Sequence, residues 1–159
     1  EEMKHVGNYL EICRIRYKDR LTFHLEKGEG LEDIKIPPLL LHTFVENSVK
    51  YAAGSGKTIQ ILVAAARKKQ QGEEFVEIKI EDNGIGFSDN VLESLRQDKD
   101  IVTEKGTRIG IRNCIQRLSR IYGSSARVLF ENREEGGARV LITIVLKGEE
   151  NSNEYTSGR

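Results

Sequence analysis

Asp82, Gly84 and Gly86 stand in the run Asp82-Asn83-Gly84-Ile85-Gly86, directly after Phe75-Val76-Glu77-Ile78-Lys79-Ile80-Glu81. Apolar Val76, Ile78 and Ile80 alternate with charged Glu77, Lys79 and Glu81, the period of a half-buried strand. An aspartate at a strand end, followed by glycines at alternate positions, puts one carboxylate at a mouth floored by bare backbone. Glycine allows a flat ligand to come close there. The same residues could make a plain Asn-Gly turn, so their weight comes from two further groups. Glu46-Asn47 lies upstream in a helical pattern, and Gly106-Thr107-Arg108-Ile109-Gly110 lies downstream at the start of another.

Each group suits a different part of one chemistry. Thr43, Asn47 and Lys50 share a helix face, with Glu46 one step round the cylinder. An asparagine amide oxygen is a hard neutral donor that can complete a magnesium octahedron otherwise filled by phosphate oxygens and water. Lys50 can touch a phosphate. A solvated polar face with a Glu46–Lys50 pair would use the same residues. Thr107 is a good N-cap residue, and the free amides and dipole of a helix start attract a polyphosphate, with Lys105 and Arg108 adding positive charge. An ordinary capped helix would look the same. A carboxylate at Asp82 accepts a hydrogen bond from the exocyclic amine of adenine, whereas guanine offers a carbonyl at that edge.

The elements that must position these groups can be read from periodicity. Glu2 to Tyr17 reads as a helix with Val6, Tyr9, Leu10 and Cys13 on one face. Leu21, Phe23 and Leu25 alternate as a strand, which should turn at Gly28-Glu29-Gly30 and return through Ile34 and Ile36. Pro37-Pro38 should start a helix running to about Ala53. A strand over Thr58 to Ala65, a charged connection over Arg67 to Glu74, and the strand ending at Asp82 come next. Ser88 to Arg96 reads as a short helix and Gln97 to Lys105 as a mobile loop. Thr107 to Tyr122 reads as a long helix capped by Gly123. Strands over Arg127 to Asn132 and Ala138 to Leu146 flank the Glu134–Gly137 turn. Helices interrupting hairpin-joined strands predict an α+β fold, with helices layered on one face of a mixed sheet.

One motif misleads. Gly54-Ser55-Gly56-Lys57-Thr58 looks like a phosphate-binding Walker loop, but Tyr51 stands where that motif needs its first glycine. A helix also precedes the loop and a strand follows, so the loop sits at the helix's negative pole. A flexible turn is the better reading.

The 159 residues suffice for one domain with a core. Lys+Arg and Asp+Glu both total 25, so no basic excess points to nucleic acid. Cys13 and Cys114 fall in helical patterns and read as two buried thiols of a reducing compartment. No apolar run approaches the ~18 residues of a membrane span, so direct membrane contact is not expected. The chain does not begin with Met and reads as a piece of a longer protein, with a polar, disordered tail over residues 148–159.

In order and spacing, Glu46-Asn47, Asp82-x-Gly84-x-Gly86 and Gly106-x-x-x-Gly110-Ile111 resemble the three nucleotide-binding boxes of the GHKL ATPases. These include gyrase-type enzymes, Hsp-type chaperones, histidine kinases and MutL. More narrowly, Asn8-Tyr9-Leu10-Glu11-Ile12, Arg16 to Leu21, Ile36-Pro37-Pro38-Leu39-Leu40-Leu41, Val45-Glu46-Asn47, Asp82 to Phe87, Arg117-Leu118 and Ile121-Tyr122-Gly123 resemble LytS/YesM-type sensor histidine kinases. The resemblance covers about Asn8 to Leu146. It implies a Bergerat α/β sandwich binding ATP and Mg2+ under a lid at Gln97 to Lys105. It makes Asp82 the adenine contact, Asn47 the magnesium ligand and Glu46 the catalytic base or polarising group. Lys50, Tyr51, Gly84, Gly86, Lys105, Gly106, Thr107, Arg108 and Gly110 complete the ATP-binding set.

The resemblance also implies an organisation and partners. Residues 1–19 would lead from an absent dimerisation and phosphoacceptor domain, and residues 20–147 would form the catalytic domain. A response regulator would be the downstream partner, and this cytoplasmic domain would belong to a protein anchored in the bacterial membrane. Two departures stand out. Arg108 replaces a glycine common in the family, and no histidine here has the phosphoacceptor's surroundings. His5, His24 and His42 read as structural or peripheral. A different ATPase or serine kinase of the superfamily, or a nucleotide-binding module without transfer, remains open.

Overall fold

The computed structural model describes residues 1–97, 102–103, 106–107 and 109–146. Along the chain come α1 (Glu2–Tyr17), β1 (Leu21–Lys27), α2 (Leu40–Ala53), β2 (Ile59–Gln70) and β3 (Glu73–Asp82). Then follow α3 (Asp89–Arg96), β4 (Val102–Thr103), β5 (Gly106–Thr107), α4 (Ile109–Tyr122), β6 (Ala126–Asn132) and β7 (Ala138–Leu146). Five strands make a mixed sheet in the order β1-β2-β3-β7-β6, parallel only between β1 and β2. The two-residue strands β4 and β5 pair by themselves. This is the α+β architecture that the sequence predicts.

Strand alternation decides which face is covered. Ile61, Val63 and Ala65 of β2, Val76, Ile78 and Ile80 of β3, and Val140, Ile142 and Ile144 of β7 are all buried. They share one core with Val6, Leu10 and Cys13 of α1, Leu41, Phe44, Val45 and Val49 of α2, and Ile111, Cys114 and Leu118 of α4. On the other face, cross-strand partners Glu81, Arg139 and Glu131 form an ion-pair ladder. Arg139 Nε lies 2.5 Å from Glu81 and Nη1 2.9 Å from Glu131. Cys13 and Cys114 are free and buried, as expected.

Three local expectations are corrected. No strand returns through Ile34 and Ile36; instead β1 pairs with β2 beyond α2, a parallel crossover. Gly28 N–H extends that pairing to Ala65 O at 2.8 Å, and Ile34 and Ile36 pack on the core from a loop. The charged stretch Arg67–Glu74 is mostly strand, since β2 and β3 run on to a two-residue turn at Gln71 (φ 51) and Gly72 (φ 89). Positive φ at both positions is the type I′ geometry that matches sheet twist. Helix α4 begins at Ile109, because Thr107 is engaged in pairing with Val102 and so is not its N-cap. The mobile-loop expectation for Gln97–Lys105 falls partly on residues 98–101 and 104–105, outside the described residues, and so does the tail expectation from residue 148 onward. Gly123 (φ 56) follows α4 in left-handed geometry, as read.

The turn before β7 packs against the end of β3. A Cβ at Gly137 (φ 96) would lie 1.9 Å from the Asp82 carbonyl oxygen. Gly137→Ala should therefore cost about 3 kcal/mol or more of unfolding free energy in urea titration. A loss under about 1 kcal/mol would contradict this packing.

Candidate functional site

The site is built on one exception to the alternation. In β3 the positions facing the core run Val76, Ile78, Ile80 and then Asp82, which pairs across from Ile61. The carboxylate thus occupies a place that the pattern reserves for a hydrocarbon, and Asp82 is 2% exposed. A charge there must be hydrogen-bonded to be tolerable. Oδ1 accepts from Gly84 N–H at 2.8 Å and from Ala138 N–H at 3.2 Å, and the Ser48 hydroxyl of α2 also bonds the carboxylate. Arg133 donates from Nη1 to the Asp82 carbonyl at 2.9 Å.

The glycines behave as close-approach positions. A Cβ at Gly84 would sit 2.9 Å from Ala52 Cα, and one at Gly86 (φ 76) 2.6 Å from Asn132 Oδ1. Asn132 acts as a substitute strand for the turn, since its Oδ1 accepts from Phe87 N–H at 2.7 Å and its Nδ2 donates to Phe87 O at 2.9 Å. Asn83 does the same on the other side, joining Gln60 N–H and Thr58 O.

In front of Asp82 lies a small cavity of about 20 Å³, enough for one water. Phe44, Phe87, Ile111 and Phe130 wall it, and Asn47, Ser48, Tyr51 and Gly86 also border it. The Phe87 and Phe130 rings meet edge-on with centroids 5.9 Å apart. Asn47 donates from Nδ2 to Thr43 O at 2.8 Å, so its amide oxygen is the end turned away from the helix backbone. Glu46 and Lys50 are exposed on α2 beside it and do not line the cavity. Gly110, exposed in the first turn of α4, lies against Thr43, whose methyl would be 3.4 Å from an added Cβ. Gly106 and Thr107 form β5, while Lys105 and Arg108 lie outside the described residues. Asp82, Gly84, Gly86, Asn47 and Tyr51 are thus brought together, with Gly110 one helix turn along α2 from Asn47.

The model of the family described as "Histidine kinase-, DNA gyrase B-, and HSP90-like ATPase" matches residues 32–148. The chain belongs to this family. It is 31% identical over 153 residues to the sensor protein LytS of Enterococcus faecalis, covering 94% of this chain and 25% of that protein. It is 32% identical over 149 residues to the sensor histidine kinase YesM of Bacillus subtilis, covering 94% and 24%. The chain therefore spans about a quarter of the length of these relatives. Among solved structures, the nucleotide-free catalytic domain of histidine kinase ThkA has the same fold, with a TM-score of 0.65 at 16% identity, covering 91% of this chain and 90% of that one. Full-length ShkA in complex with AMPPNP matches with a TM-score of 0.58 at 17% identity, over 91% of this chain and 30% of that one. The molecule is an ATP-binding domain of the histidine kinase-, gyrase B- and HSP90-like ATPase family.

Within this ATPase-family domain, the sequence did not reveal Ser48, Asn132, Arg133 and Gly137. Ser48, 7% exposed, carried a usable signal, since it follows Phe44 by four and Val45 by three and so shares their apolar helix face. The other three are brought to Asp82 by the β6–β7 turn and carry no spacing relation to it.

Burial is the largest influence on Asp82 and raises its pKa above 3.8, while the Gly84 and Ala138 amides, Ser48 and Arg133 pull it down. Because the folded-state value exceeds the unfolded one, the group contributes stability that is complete below 3.8 and lost as pH rises through the raised value. Asp82→Asn keeps an acceptor for both amides and removes the titration. Urea titrations of both proteins across this acidic window should show the wild type losing stability relative to the variant as pH rises. Parallel pH profiles would rule out the buried ionisable carboxyl.

Proposed function

We propose that this domain transfers the γ-phosphoryl group of ATP to a histidine on a separate dimerisation domain. The observation that carries the proposal is the buried Asp82 carboxylate beside an apolar cleft that Asn47 borders, the Asn47 amide nitrogen being held by Thr43 O. Asp82 accepts from the adenine amine, which guanine lacks at that edge. Gly86 and Tyr51 border the same cleft, and Gly84 holds the Asp82 carboxylate through its amide, so both glycines are assigned to the purine end. Asn47 fits magnesium as a single hard oxygen donor, the remaining positions being taken by phosphate and water. Magnesium, when bound, neutralises triphosphate charge. Lys50, Lys105, Gly106, Thr107, Arg108 and Gly110 are assigned to the triphosphate.

In the transfer, the bond from the γ-phosphorus to the bridging oxygen breaks and ADP leaves with the electron pair, while a neutral imidazole nitrogen bonds to phosphorus. Glu46 is assigned the role of taking or polarising the imidazole proton. Such transfers have loose transition states, so positioning and charge neutralisation do most of the work. The acceptor domain would lie upstream in the full protein, with a response regulator as the next recipient. Histidine kinase ThkA has been seen in complex with its response regulator TrrA. We assign the domain to the cytoplasm of a membrane-anchored sensor. Among the described residues no helix is long and apolar enough to cross a membrane.

Calorimetry with ATP, ADP and GTP, with and without magnesium, tests the ligand. ATP should bind at least about tenfold tighter than GTP, a margin that Asp82→Asn erases. Asn47→Ala should remove the gain from magnesium and leave metal-free ADP binding intact. Equal affinities for ATP and GTP would defeat the adenine assignment. With radiolabelled ATP and an added phosphoacceptor domain, label should appear on histidine and slow sharply in Glu46→Gln. ATP binding without histidine label would favour a nucleotide-binding module.

A further inference from the structure

Helix α2 begins without a cap of its own. Its N-cap position is Leu39, which offers no side-chain acceptor and sits in left-handed geometry at φ 63. Pro38 before it has no N–H, and Leu40 N–H is taken by Pro37 O at 3.2 Å. Two further early donors are met from another helix. Glu2, in the first turn of α1, accepts Leu39 N–H on Oε1 at 2.8 Å and Leu41 N–H on Oε2 at 3.2 Å. A carboxylate bridging two amides at a helix start satisfies orphan donors and complements the helix dipole together.

The capped end leads straight to the site. Thr43 Oγ1 donates to Leu39 O at 2.9 Å, and Asn47 Nδ2 donates to Thr43 O at 2.8 Å. Leu39, Thr43 and Asn47 are spaced by four, so they form one rail along a single helix face, about 12 Å long. The Thr43 methyl also faces Gly110 at the start of α4. Asp82 is served by Ser48, next in sequence to Asn47 and on another side of the helix, and by Ala52 beneath Gly84. The cap therefore acts on Asn47 through the Thr43 bonds, a rail in which Ser48 takes no part.

We propose that Glu2 is a positioning residue for the nucleotide site, capping α2 from α1 and holding Thr43 and Asn47 in register for the metal-bound triphosphate. The inference rests on the nucleotide reading above and adds to that site a residue eighty positions before Asp82 in sequence. Without the cap the first turn of α2 frays, and binding has to reorder it. That cost falls on ligands that use Asn47 and spares a ligand that uses only Asp82.

The test compares Mg·ATP with adenosine, both by calorimetry, in wild type, Glu2→Ala, Glu2→Gln and Glu1→Ala. Glu2→Ala should weaken Mg·ATP about fivefold and adenosine less than about twofold. Glu2→Gln, which keeps one oxygen acceptor, should fall between. Glu1→Ala, which alters the neighbouring charge and leaves the cap, should match wild type. Equal losses for both ligands, or none, would overturn the positioning role. Should Glu2→Ala fail to fold, the ligand split in Glu2→Gln decides, supported by slow exchange of the Leu39 and Leu41 amides in the wild type. Exchange at unstructured rates would overturn the cap. A wild-type chain that binds neither ligand would instead defeat the nucleotide reading, and the positioning role with it, while exchange still reports on the cap.

Discussion

A carboxylate on the buried face of a strand is the constraint around which this molecule is arranged. Leaving a charge there unpaired would cost several kcal/mol. The fold answers with the Gly84 amide, the Ala138 amide and the Ser48 hydroxyl. Each partner fixes a different element. Gly84 sets the turn after β3, Ala138 sets where β7 starts, and Ser48 sets the rotation of α2 about its axis. One side chain thus ties together strand, turn, sheet neighbour and helix. Gly137 belongs to the same arrangement, since the β6–β7 turn has to pass against Asp82's carbonyl to deliver Ala138.

Helix α2 does two jobs with two faces. Phe44, Val45 and Val49 bury against the sheet, and this packing keeps the helix from turning. The Thr43–Asn47 line runs along its rim, where each side chain bonds the carbonyl one turn back. Such back-bonding normally weakens a helix slightly. Here it orients the Asn47 carboxamide, so a small loss of helix propensity is exchanged for a fixed direction of one oxygen.

Much of this was legible because the signals are local. The Val76–Ile78–Ile80 alternation placed β3 and its end at Asp82, and the apolar spacing of Phe44, Val45 and Val49 placed α2 with Asn47 on its polar side. The Gly54–Lys57 loop was correctly set aside, since it joins a helix to a strand. What the residues did not reveal depends on contacts distant in sequence. The neighbour of β1 is set by a crossover through α2, so a local turn signal at Gly28–Gly30 pointed to the wrong partner. Charge in Arg67–Glu74 suggested a loop because both strands project past the core, where alternation no longer shows. Thr107 had the right chemistry for a cap, yet its backbone is used by Val102. Asn132 looks like any strand-end asparagine until the fold sets it beside Phe87.

The closed state of the cleft has an energetic consequence. With room for about one water and with Phe87 resting edge-on against Phe130, the space in front of Asp82 is filled by the protein's own rings. A planar ligand entering that space would first have to part the aromatic contact, and the work of parting would be subtracted from whatever Asp82 contributes. Measured affinity is then the intrinsic grip multiplied by the fraction of molecules standing open. Trimming either ring would tighten binding by raising that fraction, even as it removes surface for the ligand to touch.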